Sequence, residues 1–278
     1  MPAAAANPTL AVYAYGVART MTDRQELRAA GRMVREALGL EHGGNAGLLP
    51  GLGDLKDEML FGRLWSGAAL SKEERMLATL AALTTKQHLP QLAEYTRAAL
   101  KIGMEPQVIG EVMLHCAIYS GLPTLENSLE VVARVCAEKG VPMPDHIIED
   151  FGLETLMDMG VNTMRTLHAE EAERGYAAPD SAASDLYYTA IQYLYGAVWN
   201  RPGPTVRQRM ICSIASFTAA QLLPQLRKWL PSALNNVGLT REEILAVIAQ
   251  TGPYSGFPPA LNALVIADEV LPKTKSNG

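Results

Sequence analysis

Acid–base chemistry is the first possibility that the titratable side chains of this chain suggest. Glu111 and His115 are four residues apart in an apolar helical segment, so both lie on one face of that helix. A carboxylate next to an imidazole orients and charges the ring, as a proton-transferring pair requires. His88 and Tyr95 belong to the core helices of the same half of the chain. We predict that the catalytic residues are His88, Tyr95, Glu111 and His115.

A second group of side chains could bind a substrate. Arg75 and Arg209 carry planar guanidinium groups that can hold a carboxylate through two parallel hydrogen bonds, and several aromatic residues could form the walls of a pocket. The predicted substrate-binding residues are Arg75, Tyr119, Trp199, Arg209, Trp229 and Tyr254. Structural roles stay open for all of these types, since buried histidines hydrogen-bond within cores, arginines form ion pairs and aromatic rings pack.

The chain repeats itself. Residues 103–127, with the run Tyr119-Ser120-Gly121-Leu122-Pro123, match residues 238–262, with the run Tyr254-Ser255-Gly256-Phe257-Pro258, at an offset of 135 residues. Earlier pairs, such as Trp65 with Trp199, match at an offset of 134. A repeat of this length is a duplicated domain, not a short solenoid unit.

The two halves differ in their titratable groups. The counterparts of Glu111 and His115 in the second half are Ala246 and Gln250, which cannot form an acid–base pair. We therefore expect asymmetric chemistry, with one half more active than the other.

The elements that position these residues are predicted to be helices. Aromatic residues make up only 6% of the chain, and the alternating pattern of strands is almost absent. Capping boxes precede apolar runs at Thr22, Ser71, Thr205 and Thr240. The fold class is therefore all-α, with two tandem helical-bundle repeats that form a pseudo-dimer. The predicted divisions are an N-terminal arm 1–21, a first repeat 22–140, a linker 141–152 and a second repeat 153–278.

Prolines are expected to interrupt two helices of the second half. Pro231 should kink or split a helix over 225–236, and Gly252-Pro253 should end a helix over 241–251.

Composition and charge narrow the possible partners. A formal net charge of −5 provides no basic surface for nucleic acid, and no apolar run reaches the roughly 18 residues of a membrane helix. The 3 cysteines show no close pairing, which suits a reducing cytoplasm, and the 5 histidines lack the spacing of metal ligands. We expect a cytoplasmic protein with a small-molecule substrate and without a nucleic-acid or membrane partner, a metal or a cofactor.

Four stretches resemble the carboxymuconolactone decarboxylase family. They are residues 196–203 (GAVWNRPG), which Arg209 follows, 235–244 (NNVGLTREEI), 254–263 (YSGFPPALNA) and 114–123 (LHCAIYSGLP). The resemblance extends over roughly 22–139 and 153–271 and implies an all-helical domain that oligomerises through its helices. Because family domains build rings from subunit pairs, the resemblance implies a homo-oligomer, a dimer or trimer of pseudo-dimers.

The family includes lactone decarboxylases and alkylhydroperoxidase D-like thiol peroxidases. Peroxidase-type members carry Cys-x-x-Cys followed by His, and decarboxylase-type members favour the same His. The matching positions here are His88, Gln91 and Tyr95 in the first repeat, and Leu222, Gln225 and Trp229 in the second. Without a redox pair of cysteines, a thiol peroxidase is not expected.

We predict a cofactor-independent, decarboxylase-like lyase or an isomerase. It would act by proton transfer on a small oxygenated cyclic substrate, either a lactone or a carboxylated compound. One alternative is a remodelled family member that catalyses dehydration, cyclisation or rearrangement in natural-product biosynthesis. Another is a non-enzymatic protein that binds a small ligand or acts as a scaffold, which the missing family His favours and the Glu111–His115 pair disfavours.

Overall fold

A computed structural model of the chain describes residues 23–41, 47–143, 149–169 and 182–273. Between turns and loops these residues are helical, and none of them forms a strand. The all-α prediction is confirmed. The predicted arm 1–21 and part of the predicted linker, 144–148, lie outside the described residues, and the division of the chain into arm, repeats and linker stays a prediction.

Packing divides the chain into two compact units, one that ends at Ser71 and one that begins at Lys72. The first unit holds α1 (Arg24–Leu38), α2 (Leu52–Leu55) and π1 (Lys56–Trp65), a π-helix that continues α2. The N-cap of α1 is Asp23, whose carboxylate accepts from the Gln25 N–H. The cap therefore lies one residue after the Thr22 that the sequence pattern indicated, and Thr22 itself lies outside the described residues.

The second unit repeats one order of helices. In its first part the helices are α3 (Lys72–Lys86), α4 (Leu89–Lys101), α5 (Pro106–Ser120) and α6 (Leu122–Glu138). The connecting helices are α7 (Leu153–His168), α8 (Ser184–Thr189), the π-helix π2 (Ala190–Ala197) and a 3₁₀ turn (Val198–Asn200). They are followed by α9 (Val206–Ala220), α10 (Leu223–Asn235), α11 (Arg241–Ser255) and α12 (Phe257–Val270), which have the order and nearly the lengths of α3 to α6.

The core of the second unit is shared between the repeats. The equivalent helices α3 and α9 pack against each other, α5 packs on α9, and α11 packs on α3. Both α3 and α9 are buried along most of their length, as expected for helices that are apolar on nearly every face. Arg207 at the start of α9 binds Glu74 of α3, with 2.9 Å between Nε and Oε1. The predicted pseudo-dimer is confirmed in this arrangement.

Helix starts follow the sequence pattern better than helix ends. The capping boxes at Thr205 and Thr240 both form. The predicted end of a helix at Gly252-Pro253 is wrong, because α11 continues through both residues to Ser255. Helix α10 continues through Pro231, so that proline does not split it, and the predicted kink stays a prediction. A proline in a helix interior costs about 3 kcal/mol, and the burial of both helices in the shared core outweighs that cost.

Among the described residues, no helix combines the length and the apolar character needed to cross a membrane.

Candidate functional site

A cavity of about 920 Å³ lies beside α10 in the second unit. Its volume is within the range of small-molecule sites. The aromatic lining consists of Tyr119, Tyr187, Tyr195, Phe217 and Trp229. The polar lining consists of His168, Gln225, Arg227, Lys228, Ser232, Asn235 and Asn236. No Asp or Glu lies among the described lining residues, so the cavity suits an anionic or neutral molecule.

A chain of hydrogen bonds joins the protein core to the wall of this cavity. The Ser213 Oγ lies 2.7 Å from the Tyr119 hydroxyl and 2.9 Å from the His115 Nε2. Helix α5 supplies His115 and Tyr119 from successive turns, and α9 supplies Ser213. Tyr119 lines the cavity, whereas His115 is fully buried. A change at the cavity surface is therefore coupled to the buried imidazole.

The hydrogen bonds of Ser213 assign the protons of this chain. Its hydroxyl donates to the carbonyl of Arg209, 3.0 Å away, so its oxygen accepts from both Tyr119 and His115. His115 therefore carries its proton on Nε2. Its Nδ1 is buried, and no described residue hydrogen-bonds to it.

The pKa values of the same groups favour their neutral forms. Burial, and secondarily the charge of Arg209, holds the pKa of His115 well below its ordinary value. Burial also raises the pKa of the Tyr119 phenol, although the hydrogen bond with Ser213 opposes that effect. Near neutral pH, both side chains therefore keep one proton to donate in a hydrogen bond.

Glu111 and His115 share a helix face, as predicted, but they do not pair with each other. The Glu111 carboxylate binds Arg201 instead, with the Arg201 Nε 2.8 Å from Oε1 and 3.0 Å from Oε2. The Arg209 Nη2 lies 3.5 Å from the Glu111 Oε2 and donates to the Arg201 carbonyl at 2.9 Å. This buried ionic cluster joins α5 to the start of α9, so Glu111 holds the helix that carries His115 and Tyr119.

Two tryptophans complete the surroundings of His115 and Tyr119. Trp199 packs edge-on against the His115 ring with 4.8 Å between centroids, and it lies 5.7 Å from Trp229. Trp229 also meets Tyr119 at 6.4 Å and Phe217 at 5.4 Å. The predicted residue Trp229 therefore lines the cavity, whereas Trp199 does not line it and packs against His115 and Trp229.

The other half of the pseudo-dimer has an equivalent place with different contacts. There the Arg75 Nη1 donates to the Gln250 Oε1 at 2.9 Å, and Gln250 donates to the Thr79 Oγ1 at 3.2 Å. The Tyr254 hydroxyl donates to the Tyr95 hydroxyl at 2.8 Å, and the two rings pack edge to face. The predicted residues Arg75, Tyr95 and Tyr254 thus bind one another or Gln250 in this second cluster.

The predicted catalytic residues do not meet in one place. Glu111 and His115 belong to the cluster beside the cavity, together with Tyr119, Trp199, Arg209 and Trp229. Tyr95 belongs to the second cluster. His88 is exposed at the N-cap of α4 and does not line the cavity.

Of the described lining residues, the sequence prediction included only Tyr119 and Trp229. Three of those that it missed carry polar groups. His168 ends α7, Tyr195 lies on π2, and Lys228 precedes Trp229 on α10. The only sequence signal for Lys228 was its position between the family positions Gln225 and Trp229. The equivalent helix α1 ends at Leu38 and Gly39 without a histidine, so no comparison of the two halves could identify His168.

The described residues include no group of three or more His, Cys, Asp or Glu side chains placed to hold a metal ion. Cys116 and Cys212 are buried, and burial raises the pKa of the Cys116 thiol to about 12 and that of Cys212 well above its ordinary value. Neither thiol is therefore a nucleophile near neutral pH.

Curated proteins similar to this chain include two named as decarboxylases. A 4-carboxymuconolactone decarboxylase from Acinetobacter baylyi is 26% identical over 137 residues, which cover 47% of this chain and 100% of the relative. A nitrosuccinic acid decarboxylase, npaB, from Metarhizium robertsii is 28% identical over 81 residues, 29% of this chain and 57% of the relative. An uncharacterized 15.0 kDa protein from Paracoccus denitrificans is 33% identical over 84 residues, 30% of this chain and 63% of the relative.

The family comparison covers more of the sequence than any of these relatives. The carboxymuconolactone decarboxylase family matches residues 50–134 and again residues 184–269, which together exceed half of the chain. The two matches fall in the two halves that the internal repeat defines. The chain therefore belongs to the carboxymuconolactone decarboxylase family and carries two copies of its domain in tandem.

Proposed function

We propose that this protein is a decarboxylase-like lyase that releases CO₂ from a small carboxylic acid bound in the cavity beside α10. One observation carries the proposal. The buried chain from His115 through Ser213 ends at Tyr119, and Tyr119 lines a cavity whose described lining has cationic side chains but no carboxylates. Such a site attracts an anionic substrate, and the Tyr119 hydroxyl at its wall can turn its proton from Ser213 to that substrate.

The names of two relatives support this substrate class. A carboxymuconolactone carries a carboxyl group and a lactone, and nitrosuccinic acid carries carboxyl groups and a nitro group. In both, a group that accepts electrons accompanies the carboxylate that is lost. We therefore assign the cavity a small acid that carries a carbonyl or nitro group close to the reacting carbon.

Decarboxylation requires that the protein stabilise the negative charge that develops on the substrate. When the carbon–carboxylate bond breaks, CO₂ leaves, and the electron pair stays on carbon and spreads onto the oxygen of the accepting group. Tyr119 can donate a hydrogen bond to that oxygen, while the Ser213 hydroxyl turns from the Arg209 carbonyl to donate to Tyr119. His115 stays neutral and holds Ser213 in place. Such preorganised donors are most effective in a low-dielectric site, and aromatic rings surround this one.

The proposal is tested by measuring CO₂ release from 4-carboxymuconolactone and from nitrosuccinic acid. Removing the donor in Tyr119→Phe should lower kcat by about 100- to 1,000-fold, the usual effect of deleting one such donor. Ser213→Ala, which leaves the phenol in place but unsupported, should have a smaller effect in the same direction. Tyr254→Phe is the matched control, because Tyr254 is the repeat counterpart of Tyr119 but hydrogen-bonds to Tyr95.

The outcomes distinguish the Tyr119 site from the Tyr254 cluster as the place of catalysis. Loss of activity in Tyr254→Phe but not in Tyr119→Phe would place catalysis in the second cluster and contradict this proposal. Full activity in both variants would remove phenol donation from the mechanism.

A non-enzymatic, ligand-binding role is the second candidate. It is favoured by the separation of His88 and Tyr95 from Glu111 and His115, since these four were expected to act together. Under this alternative, carboxylic acids would bind in the cavity but would not release CO₂. Calorimetric binding measured together with the CO₂ assay separates the two functions.

A further inference from the structure

One titratable side chain of the cavity has no part in the hydrogen-bond chain of Tyr119. His168 ends α7, and its Nδ1 lies 2.9 Å from the Ser232 Oγ of α10. The ring packs edge-on against Trp229, with 4.7 Å between centroids, and lies 6.2 Å from Tyr195. These contacts fix the ring, and no described residue hydrogen-bonds to its Nε2.

Among the residues that the structure describes, the groups that line the cavity around His168 are cationic or neutral. Helix α10 contributes Arg227, which is ion-paired with Glu269, and Lys228. The remaining titratable lining groups are the phenols of Tyr119 on α5, Tyr187 on α8 and Tyr195 on π2. Burial, and then the charge of Lys228, lowers the pKa of His168 to about 4, so the ring is neutral when the cavity holds no anion.

The partners of His168 are specific to this half of the molecule. In the repeat, Lys228 corresponds to Glu94, and Ser232 corresponds to Ala98. The first half therefore has the opposite charge at one position and no hydroxyl at the other, although the same helices form. The helix scaffold does not require this combination, which points to a role in the cavity itself.

We propose that His168 is a further catalytic residue, which gains a proton when an anionic substrate binds beside Lys228 and gives that proton to the substrate carbon after CO₂ has left. The inference rests on the proposed function for its second step. The first step, proton uptake when an anion binds in the cavity, does not depend on decarboxylation.

Electrostatics explains the order of events. A carboxylate bound near Lys228 offsets the positive charge that disfavours protonated His168, and it favours an imidazolium directly. The ring then takes a proton from solvent onto Nε2. When the carbon–carboxylate bond breaks, CO₂ leaves as a neutral molecule, the electron pair stays on the substrate carbon, and the Nε2 proton moves to that carbon. The ring returns to its neutral form, and the net reaction consumes one proton for each CO₂ released.

Calorimetry with fumarate tests the first step. Fumarate is a dicarboxylate without a lactone or nitro group, and it is almost fully ionised near pH 6. Titrations in two buffers of different ionisation enthalpy give the protons taken up per fumarate bound. We expect most of one proton for the wild-type protein, because the pKa of His168 would return towards the ordinary value of about 6.5.

Two substitutions and a control separate the roles of the residues. His168→Gln should still bind fumarate but without proton uptake, and it should lower kcat for decarboxylation more than it changes KM. Lys228→Gln should weaken fumarate binding by about tenfold. Lys139→Gln removes a similar charge at the C-cap of α6, outside the cavity lining, and should match the wild-type protein.

The possible failures are distinguishable. If fumarate does not bind, or if His168→Gln takes up the same number of protons, the inference is overturned, and Tyr119-dependent decarboxylation would stand without it. If proton uptake depends on His168 but neither acid loses CO₂, proton loading stands, and the delivery step fails together with the proposed function.

Discussion

At the residue scale, the site depends on one hydroxyl group that makes three hydrogen bonds. Ser213 connects Tyr119, His115 and the backbone of Arg209, whereas its repeat counterpart Thr79 accepts from Gln250. The sequence predicted His115 from its position four residues after Glu111, and it predicted Tyr119 among the aromatic residues that could bind a substrate. It could not identify Ser213, since a serine in an apolar helix has no distinguishing pattern until the facing helix is known.

The two neutral histidines should make the protein less stable in mild acid. Burial lowers the pKa of His115 well below its ordinary value and that of His168 to about 4. Below about pH 6.5 the histidines of the unfolded chain gain protons while these two stay neutral in the folded chain, so the free energy of unfolding falls as the pH decreases; for His168 this loss extends to about pH 4. For each histidine the slope is at most about 1.4 kcal/mol per pH unit.

Urea denaturation at a series of pH values measures this dependence. The His168→Gln variant should show a shallower loss of stability between pH 6.5 and 4 than the wild-type protein, because one of the two groups is gone. Identical slopes for the two proteins would show that His168 titrates alike in the folded and unfolded states.

At the element scale, each repeat contains a helix that crosses a π-helix, and a pair of glycines lies at each crossing. A Cβ on Gly160 of α7 would lie 2.0 Å from the Ile191 carbonyl oxygen, and one on Gly196 of π2 would lie 2.1 Å from that of Leu156. Within the first unit, a Cβ on Gly31 or Gly62 would similarly meet the backbone of π1 or α1. The crossing of α7 with π2 positions His168 and Tyr195 at the cavity.

A methyl group at this crossing should destabilise the fold. We expect Gly160→Ala and Gly196→Ala each to lower the free energy of unfolding by about 1–3 kcal/mol or more, since backbone atoms must move apart. Gly110→Ala is the matched control, because a Cβ there meets only side-chain atoms at 3.8 Å or farther. The control should be neutral or stabilising by about 0.5–1 kcal/mol, the helix propensity of Ala over Gly. Thermal unfolding measures all three variants, and equal effects would contradict the close crossing.

The helices were more predictable than their irregularities. The capping boxes at Thr205 and Thr240 correctly predicted two helix starts, because a capping box is a local pattern of four residues. The π-helices over 56–65 and 190–197 had no such signal, since a wider turn leaves no clear period in eight to ten residues. Pro253 was misleading, because the burial that retains α11 depends on contacts distant in sequence.

At the scale of the whole molecule, the duplication explains why one half can change while the fold persists. Both repeats supply helices to the core of the second unit, so either set of polar residues can diverge while the packing remains. The cluster around Ser213 includes Glu111 and His115, whereas the equivalent positions hold Ala246 and Gln250. The repeat made this asymmetry predictable. It did not show which half borders the cavity, because nothing in the repeat marks His168 as a cavity residue and the position of Lys228 holds Glu94 in the first half.

The predicted oligomer is a separate question for the whole chain. Light scattering should give a mass that is two or three times the 30.0 kDa of one chain if pseudo-dimers assemble. A mass equal to one chain would contradict the predicted assembly.

The shared core also predicts that the second repeat cannot fold as an isolated monomer. A fragment over 153–278 would lose α3 and α5, two of the helices that pack on α9, and so would expose part of a helix whose Met210, Ile211 and Ile214 are fully buried. It would also lose the partner of Arg207 on α3, Glu74. We expect this fragment to aggregate, or to pair with itself through α9. Any monomeric form should unfold without a cooperative transition.

Co-expression with a fragment over 1–152 should restore a one-to-one complex with cooperative unfolding, measured by light scattering and circular dichroism. A monomeric 153–278 fragment with a sharp thermal transition would show that the repeats are independent domains and that the core across α3 and α9 is dispensable.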